Sequence, residues 1–82
     1  MIYWYIRVYD PEKNPYGFIQ YQIRDNELYS EFDKLMAQGY QLFFTQTNIY
    51  YEDIGVNSFY LHIIFMWKKK GQKLISIRGL EW

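Results

Sequence analysis

The chain has 82 residues, half of them hydrophobic, which is the size and apolar content of one folded domain. Nine Lys plus Arg balance nine Asp plus Glu, so the overall charge selects neither nucleic acid nor a membrane surface. The absence of cysteine and the presence of one histidine exclude a disulfide framework, a thiolate nucleophile and a multi-histidine metal site within one chain.

The N-terminal Met1-Ile2-Tyr3-Trp4-Tyr5-Ile6 has neither the basic start nor the long aliphatic run of a signal peptide. Residues 2 to 9 alternate cleanly: Ile2, Trp4, Ile6 and Val8 take one face of a strand, and Tyr3, Tyr5, Arg7 and Tyr9 the other. Asp10-Pro11-Glu12-Lys13 leaves that strand, because proline cannot donate to a ladder. Asn14-Pro15-Tyr16-Gly17 has the residue order of a type I turn. Phe18 to Arg24 alternates again, either as a second strand in a hairpin with the first or as an extended lead into the next element.

That next element is a helix. Asp25 or Asn26 is a suitable N-cap, and Glu27 favours the positive end of the helix dipole. Leu28, Phe32, Leu35 and Met36 form one apolar stripe, and Gly39 sits where a left-handed residue ends a helix. Tyr40 to Tyr51 reads as a long strand, with Phe43, Thr45, Thr47, Ile49 and Tyr51 opposite Leu42, Phe44, Gln46, Asn48 and Tyr50. Residues 52 to 57 connect to a strand from Ser58 to Lys68. A turn at Lys69-Lys70-Gly71-Gln72 then leads into a last strand, Lys73 to Arg78, followed by a tail ending at Trp82.

The order β-β-α-β-β-β predicts an α+β domain, a single one over residues 1–82: one helix on one face of an antiparallel sheet of four to five strands. The strand from Ser58 is apolar on both faces, with Phe59, Leu61, Ile63, Phe65 and Trp67 opposite Tyr60, Ile64 and Met66. One helix covers one face only, so the pattern calls for further cover from strong sheet curvature, the tail or a second chain, and a homodimer is the leading expectation.

Two segments resemble a known family. Phe32-Asp33-Lys34-Leu35-Met36-Ala37-Gln38-Gly39-Tyr40-Gln41-Leu42 is similar to a junction in a family of small bacterial and phage domains of unknown function, where a helix runs through Glu-Gly-Trp-Glu-Leu into a strand. Tyr40 stands at the place of the usual Trp, and both Glu positions differ. Phe65-Met66-Trp67-Lys68-Lys69 is similar to that family's closing strand. The resemblance implies a fold, with glycine stopping the helix and an aromatic pinning the chain to the sheet. It lends no activity and no site residue.

Chemistry is sparse. His62 lies mid-strand, and Ser58, on the same face, is ~13 Å away at the strand rise, too far for a nucleophile–base hydrogen bond. His62 is therefore expected to pack or to serve an interface. Glu31 and Asp33 point apart on a helix, and Asp25 and Glu27 are explained by its start. Glu52-Asp53 reads as a solvated loop. The glycines stand singly, so there is no phosphate-cradling loop. No catalytic residue, metal ligand or cofactor is assigned.

Two features point to binding. Ten Tyr, six Phe and three Trp make up 23% of the chain, and tyrosine joins a large apolar body to a polar tip, which suits interfaces as well as strands. Tyr3, Tyr5, Tyr9, Tyr50 and Tyr60 are the anchor candidates for a protein partner. The charge is also divided. Residues 1 to 57 carry four basic and eight acidic groups, while residues 58 to 82 carry five basic and one acidic. Lys68, Lys69, Lys70, Lys73 and Arg78 beside exposed rings are the alternative, a site for single-stranded nucleic acid or a nucleotide. The leading expectation is a cytoplasmic, non-enzymatic module that binds a protein, as an adaptor or as an inhibitor carried by a phage or other mobile element. No membrane partner is expected.

Overall fold

The computed structural model describes residues 1–15, 17–51 and 59–71. Four strands and one helix follow in the order β1 (Ile2–Tyr9), β2 (Phe18–Ile23), α1 (Leu28–Ala37), β3 (Tyr40–Tyr51) and β4 (Phe59–Lys69). The expected fifth strand over 73–78, the connection over 52–57 and the tail lie outside the described residues. Among the described residues no helix is long and apolar enough to cross a membrane.

The sheet order is β2-β1-β4-β3. β1 pairs antiparallel with β2, and β3 antiparallel with β4, but the two central strands β1 and β4 run parallel, from Ile2 opposite Leu61 to Tyr9 opposite Lys68. The fold is α+β with one helix, as expected, but the sheet is mixed rather than antiparallel. The physical reason is the helical connection. It carries the chain from the β2 edge across the sheet to the β3 edge, so β3 enters in the direction of β2 and β4 returns alongside β1. Such crossovers are what parallel pairing requires.

The alternation of β1 faces one way as predicted. Ile6 and Val8 are buried in a core with Ile23, Leu28, Leu35, Tyr40 and Trp67, and Trp4, Tyr21, Phe32 and Phe65 pack around it. Phe32 alone reaches two residues of β4, with ring centroids 4.9 Å from Phe65 and 5.1 Å from Trp67. Met36, expected in the same stripe, is exposed. The helix start also differs. Asp25–Glu27 form a 3-10 turn, α1 begins at Leu28, and neither Asp25 nor Asn26 serves as an N-cap. The helix end follows the sequence: Gly39 has φ 89° and delivers Tyr40, 2% exposed, into the core.

β3 departs from strict alternation. A bulge between Leu42 and Phe44 sets Leu42 opposite Trp67 and Phe44 opposite Met66. Leu42 therefore lies on the helix side, and Phe43 reaches Tyr9 on the other face, at 5.8 Å between centroids. One inserted residue exchanges the faces of its neighbours.

On the side away from the helix no element packs, among the described residues. Ile64 and Met66 of β4 are nonetheless buried there within a single chain. The register places Tyr5 and Gln46 beside Ile64, and Arg7 and Phe44 beside Met66. Burying these two side chains therefore does not require a second copy, and the tail, also expected as possible cover, lies outside the described residues.

Candidate functional site

The sheet face turned away from α1 is built by strand alternation. β1 presents Tyr3, Tyr5, Arg7 and Tyr9, β2 presents Phe18, Gln20 and Gln22, and β4 presents Tyr60, His62, Ile64, Met66 and Lys68. β3 adds Phe43 and Phe44 at its bulge, then Gln46, Asn48 and Tyr50. No Asp or Glu stands among these residues.

His62 is the hub of this face. The parallel register sets it opposite Tyr3, and its ring lies 5.6 Å from that of Tyr3 and 4.8 Å from that of Tyr5. From β3 Tyr50 approaches to 4.7 Å, and Tyr60, two residues earlier on β4 itself, to 5.4 Å. Tyr50 and Tyr60 are a cross-strand pair, stacked at 5.2 Å with planes 16° apart, and Tyr3 meets Tyr60 edge-on at 5.8 Å. The rings hold one another, so their orientations are fixed before anything binds. A hollow of about 270 Å³ opens among Tyr3, Tyr5, Gln22, Tyr60 and His62. The tyrosine hydroxyls and the imidazole nitrogens of this cluster have no hydrogen-bond partner among the described residues.

Four of the five tyrosines singled out in the sequence therefore come together. Tyr9 does not join them. It lies at the far end of the same face, 5.5 Å from Phe18, where the Arg7 guanidinium sits 4.8 Å over the Phe18 ring and donates to Gln20 at 2.7 Å. The lysine run is divided between faces. The Lys68 ammonium lies 5.8 Å over Phe43 on the side away from α1, whereas that of Lys69 lies 5.2 Å over Tyr40. Lys70 follows in the turn, and Lys73 and Arg78 lie outside the described residues.

A second polar cluster was not foreseen. Below the sheet, Tyr40 donates to Asp10 and Tyr21 donates to Glu31, each at 2.5 Å. Both pairs border a pocket of about 130 Å³ that Lys13, Asn14 and Gln38 also line. The Tyr40 hydroxyl, helped by the backbone N–H of Glu12, holds the buried Asp10 carboxyl below its ordinary range, against the effect of burial. Burial first, then the bond to Asp10, pushes the Tyr40 hydroxyl up to about 12. Burial first, then Glu31, pushes the Tyr21 hydroxyl upward too. Each carboxylate already accepts a phenol O–H, so neither is poised as a free base. Residues 30 positions apart in sequence give no local signal for such a pair.

Comparison with protein-family models, with curated proteins and with solved structures finds no match to this chain. Among the described residues, no three His, Asp or Glu side chains converge as metal ligands.

Proposed function

We propose that the chain is a non-enzymatic binding module that engages a protein partner on the sheet face away from α1, with Tyr3, Tyr5, Tyr50 and Tyr60 around His62 as the anchor. The observation that carries this reading is the cluster itself: five mutually packed rings with unspent polar tips on a face that lacks carboxylates among the described residues. Protein interfaces are enriched in Tyr, Phe, Met and Arg and depleted in Asp, Glu and Lys, which is the composition of this face. Pre-ordered rings lose little freedom on binding, so more of their buried area becomes affinity. An adaptor and an occluding inhibitor both need no more than this. Among the described residues His62 is surrounded by rings rather than by a nucleophile or a carboxylate, which supports binding over catalysis.

Affinity capture with Tyr60→Ala and Tyr29→Ala tests the assignment. Tyr29 is 78% exposed on α1, away from the cluster. The expected result is a partner retained by Tyr29→Ala and weakened ~30-fold or more by Tyr60→Ala, the loss of an anchor worth ~2 kcal/mol, with unchanged circular dichroism. Equal retention by both variants rejects the site.

Single-stranded nucleic acid is the second reading, favoured by the same stackable rings and by the lysines ending β4. Binding of a labelled oligonucleotide that weakens with salt and falls in Lys68→Ala/Lys69→Ala/Lys70→Ala would place it first. The division of Lys68 and Lys69 between the two faces argues for the protein.

A further inference from the structure

Among the described residues β3 is an edge strand, and an unusual one. Its twelve residues, Tyr40–Tyr51, contain no charge, no proline and no glycine. Edges are normally blunted by charge, proline, bulges or short length. The opposite edge, β2, has six residues with Pro15 shortly before it and Arg24 directly after it. β3 has its bulge at Leu42–Phe44 and no such device beyond it. There Ile49 is 56% and Tyr51 78% exposed.

We propose that this edge pairs with β3 of a second copy of the chain, antiparallel, about a twofold axis at Thr47. The sequence is self-complementary in that register. Thr47 falls opposite Thr47 of the second copy and Gln46 opposite Asn48. Thr45 falls opposite Ile49, and Phe44 opposite Tyr50. Ring meets ring, amide meets amide and threonine meets threonine, the cross-strand combinations that stabilise antiparallel pairs. Moving the axis by one residue to Asn48 sets Gln46 opposite Tyr50, and moving it to Gln46 sets Phe44 opposite Asn48, so both lose the match. Paired residues share a face, so Phe44 of the second copy arrives beside Tyr50, which already stacks on Tyr60. Each copy thereby adds a ring to the other's His62 cluster, and two four-stranded sheets become one of eight.

The pairing goes beyond the proposed function, which needs a single chain. Light scattering on size-exclusion fractions, from about 1 to about 100 µM, is the test. The wild-type chain is expected at twice the chain mass. Thr47→Lys sets two ammonium groups opposite each other at the axis and is expected to weaken association at least ~30-fold, with unchanged circular dichroism because Thr47 is exposed. The double variant Thr45→Lys/Ile49→Glu sets opposite charges across the interface in this register alone and is expected to remain dimeric. A wild-type monomer throughout the range, or a Thr47→Lys dimer as tight as wild type, overturns the pairing. A monomeric double variant overturns the register. Tyr60→Ala separates the two proposals: it is expected to lose the protein partner while keeping the dimer mass.

Discussion

Asp10 and Tyr40 tie the exit of the first strand to the entry of the third, and their hydrogen bond is buried at both ends. Tyr40→Phe removes the donor and leaves the carboxylate with the Glu12 N–H, so a loss of about 2 kcal/mol in urea unfolding at pH 7 is expected. The pH dependence has a definite sign. Asp10 is held below 3.8, so its contribution is in place above that pH and is lost as the pH falls through its depressed folded value. Tyr40 is raised from 10.0 to about 12, so its contribution is in place below pH 10 and is lost as the pH rises toward 12. Urea titrations between pH 9 and pH 12 are expected to show a steeper fall for wild type than for Tyr40→Phe. At the same scale, Trp67 is 2% exposed and its indole N–H meets no acceptor among the described residues. An orphaned buried donor costs about 1–3 kcal/mol, and Trp67→Phe removes both that donor and fewer atoms from the core than Phe32→Ala does, so it is expected to cost less.

For the elements, the sequence was legible wherever a period or a stop signal is local. The strand alternation over residues 2 to 9, the apolar positions Leu28, Phe32 and Leu35, and the helix stop at Gly39 all follow from patterns a few residues long. Gly39→Ala tests the stop in isolation. A methyl group there meets open space, so the cost is the positive φ alone, about 1–2 kcal/mol by thermal or urea unfolding. Phe32→Ala, which removes the ring that reaches Phe65 and Trp67, is expected to cost about 3 kcal/mol. What was not legible was set by neighbours. Leu42 and Phe43 changed faces because a bulge follows from the pairing with β4, and no residue in Tyr-Gln-Leu-Phe-Phe announces it. The expected caps at Asp25 and Asn26 gave way to a 3-10 turn, because the chain must leave β2 and turn beneath the sheet at that point.

At the scale of the whole molecule, the choice between a mixed and an antiparallel sheet depended on where the helix sets the chain down, which is a tertiary fact. The site shares that dependence. Alternation alone placed Tyr3 and Tyr5 on one face of β1, and Tyr60 and His62 on one face of β4. Only the parallel pairing of those two strands brings the rings into one cluster. His62, which the sequence places mid-strand as a packing or interface residue, is the centre for the same reason. Tyr9 had the same alternation and the same residue type, yet lies in another group, which shows how little composition says about position along a face.

The parallel pair at the centre also bears on how the chain is made. β1 leaves the ribosome first, and of the two neighbours it needs, β4 is the last of the described strands to follow. Until then a hairpin of β1 and β2 carries an open backbone edge along Ile2–Tyr9, one of the most apolar stretches of the protein. Closing that edge means closing a long loop, which makes the central seam a late event in folding. A nascent chain stalled after Tyr51 is expected to aggregate or to recruit a chaperone, and protection along β1 is expected only in chains long enough to release β4; ribosome-bound lengths on either side of β4, probed by limited proteolysis, would resolve the step.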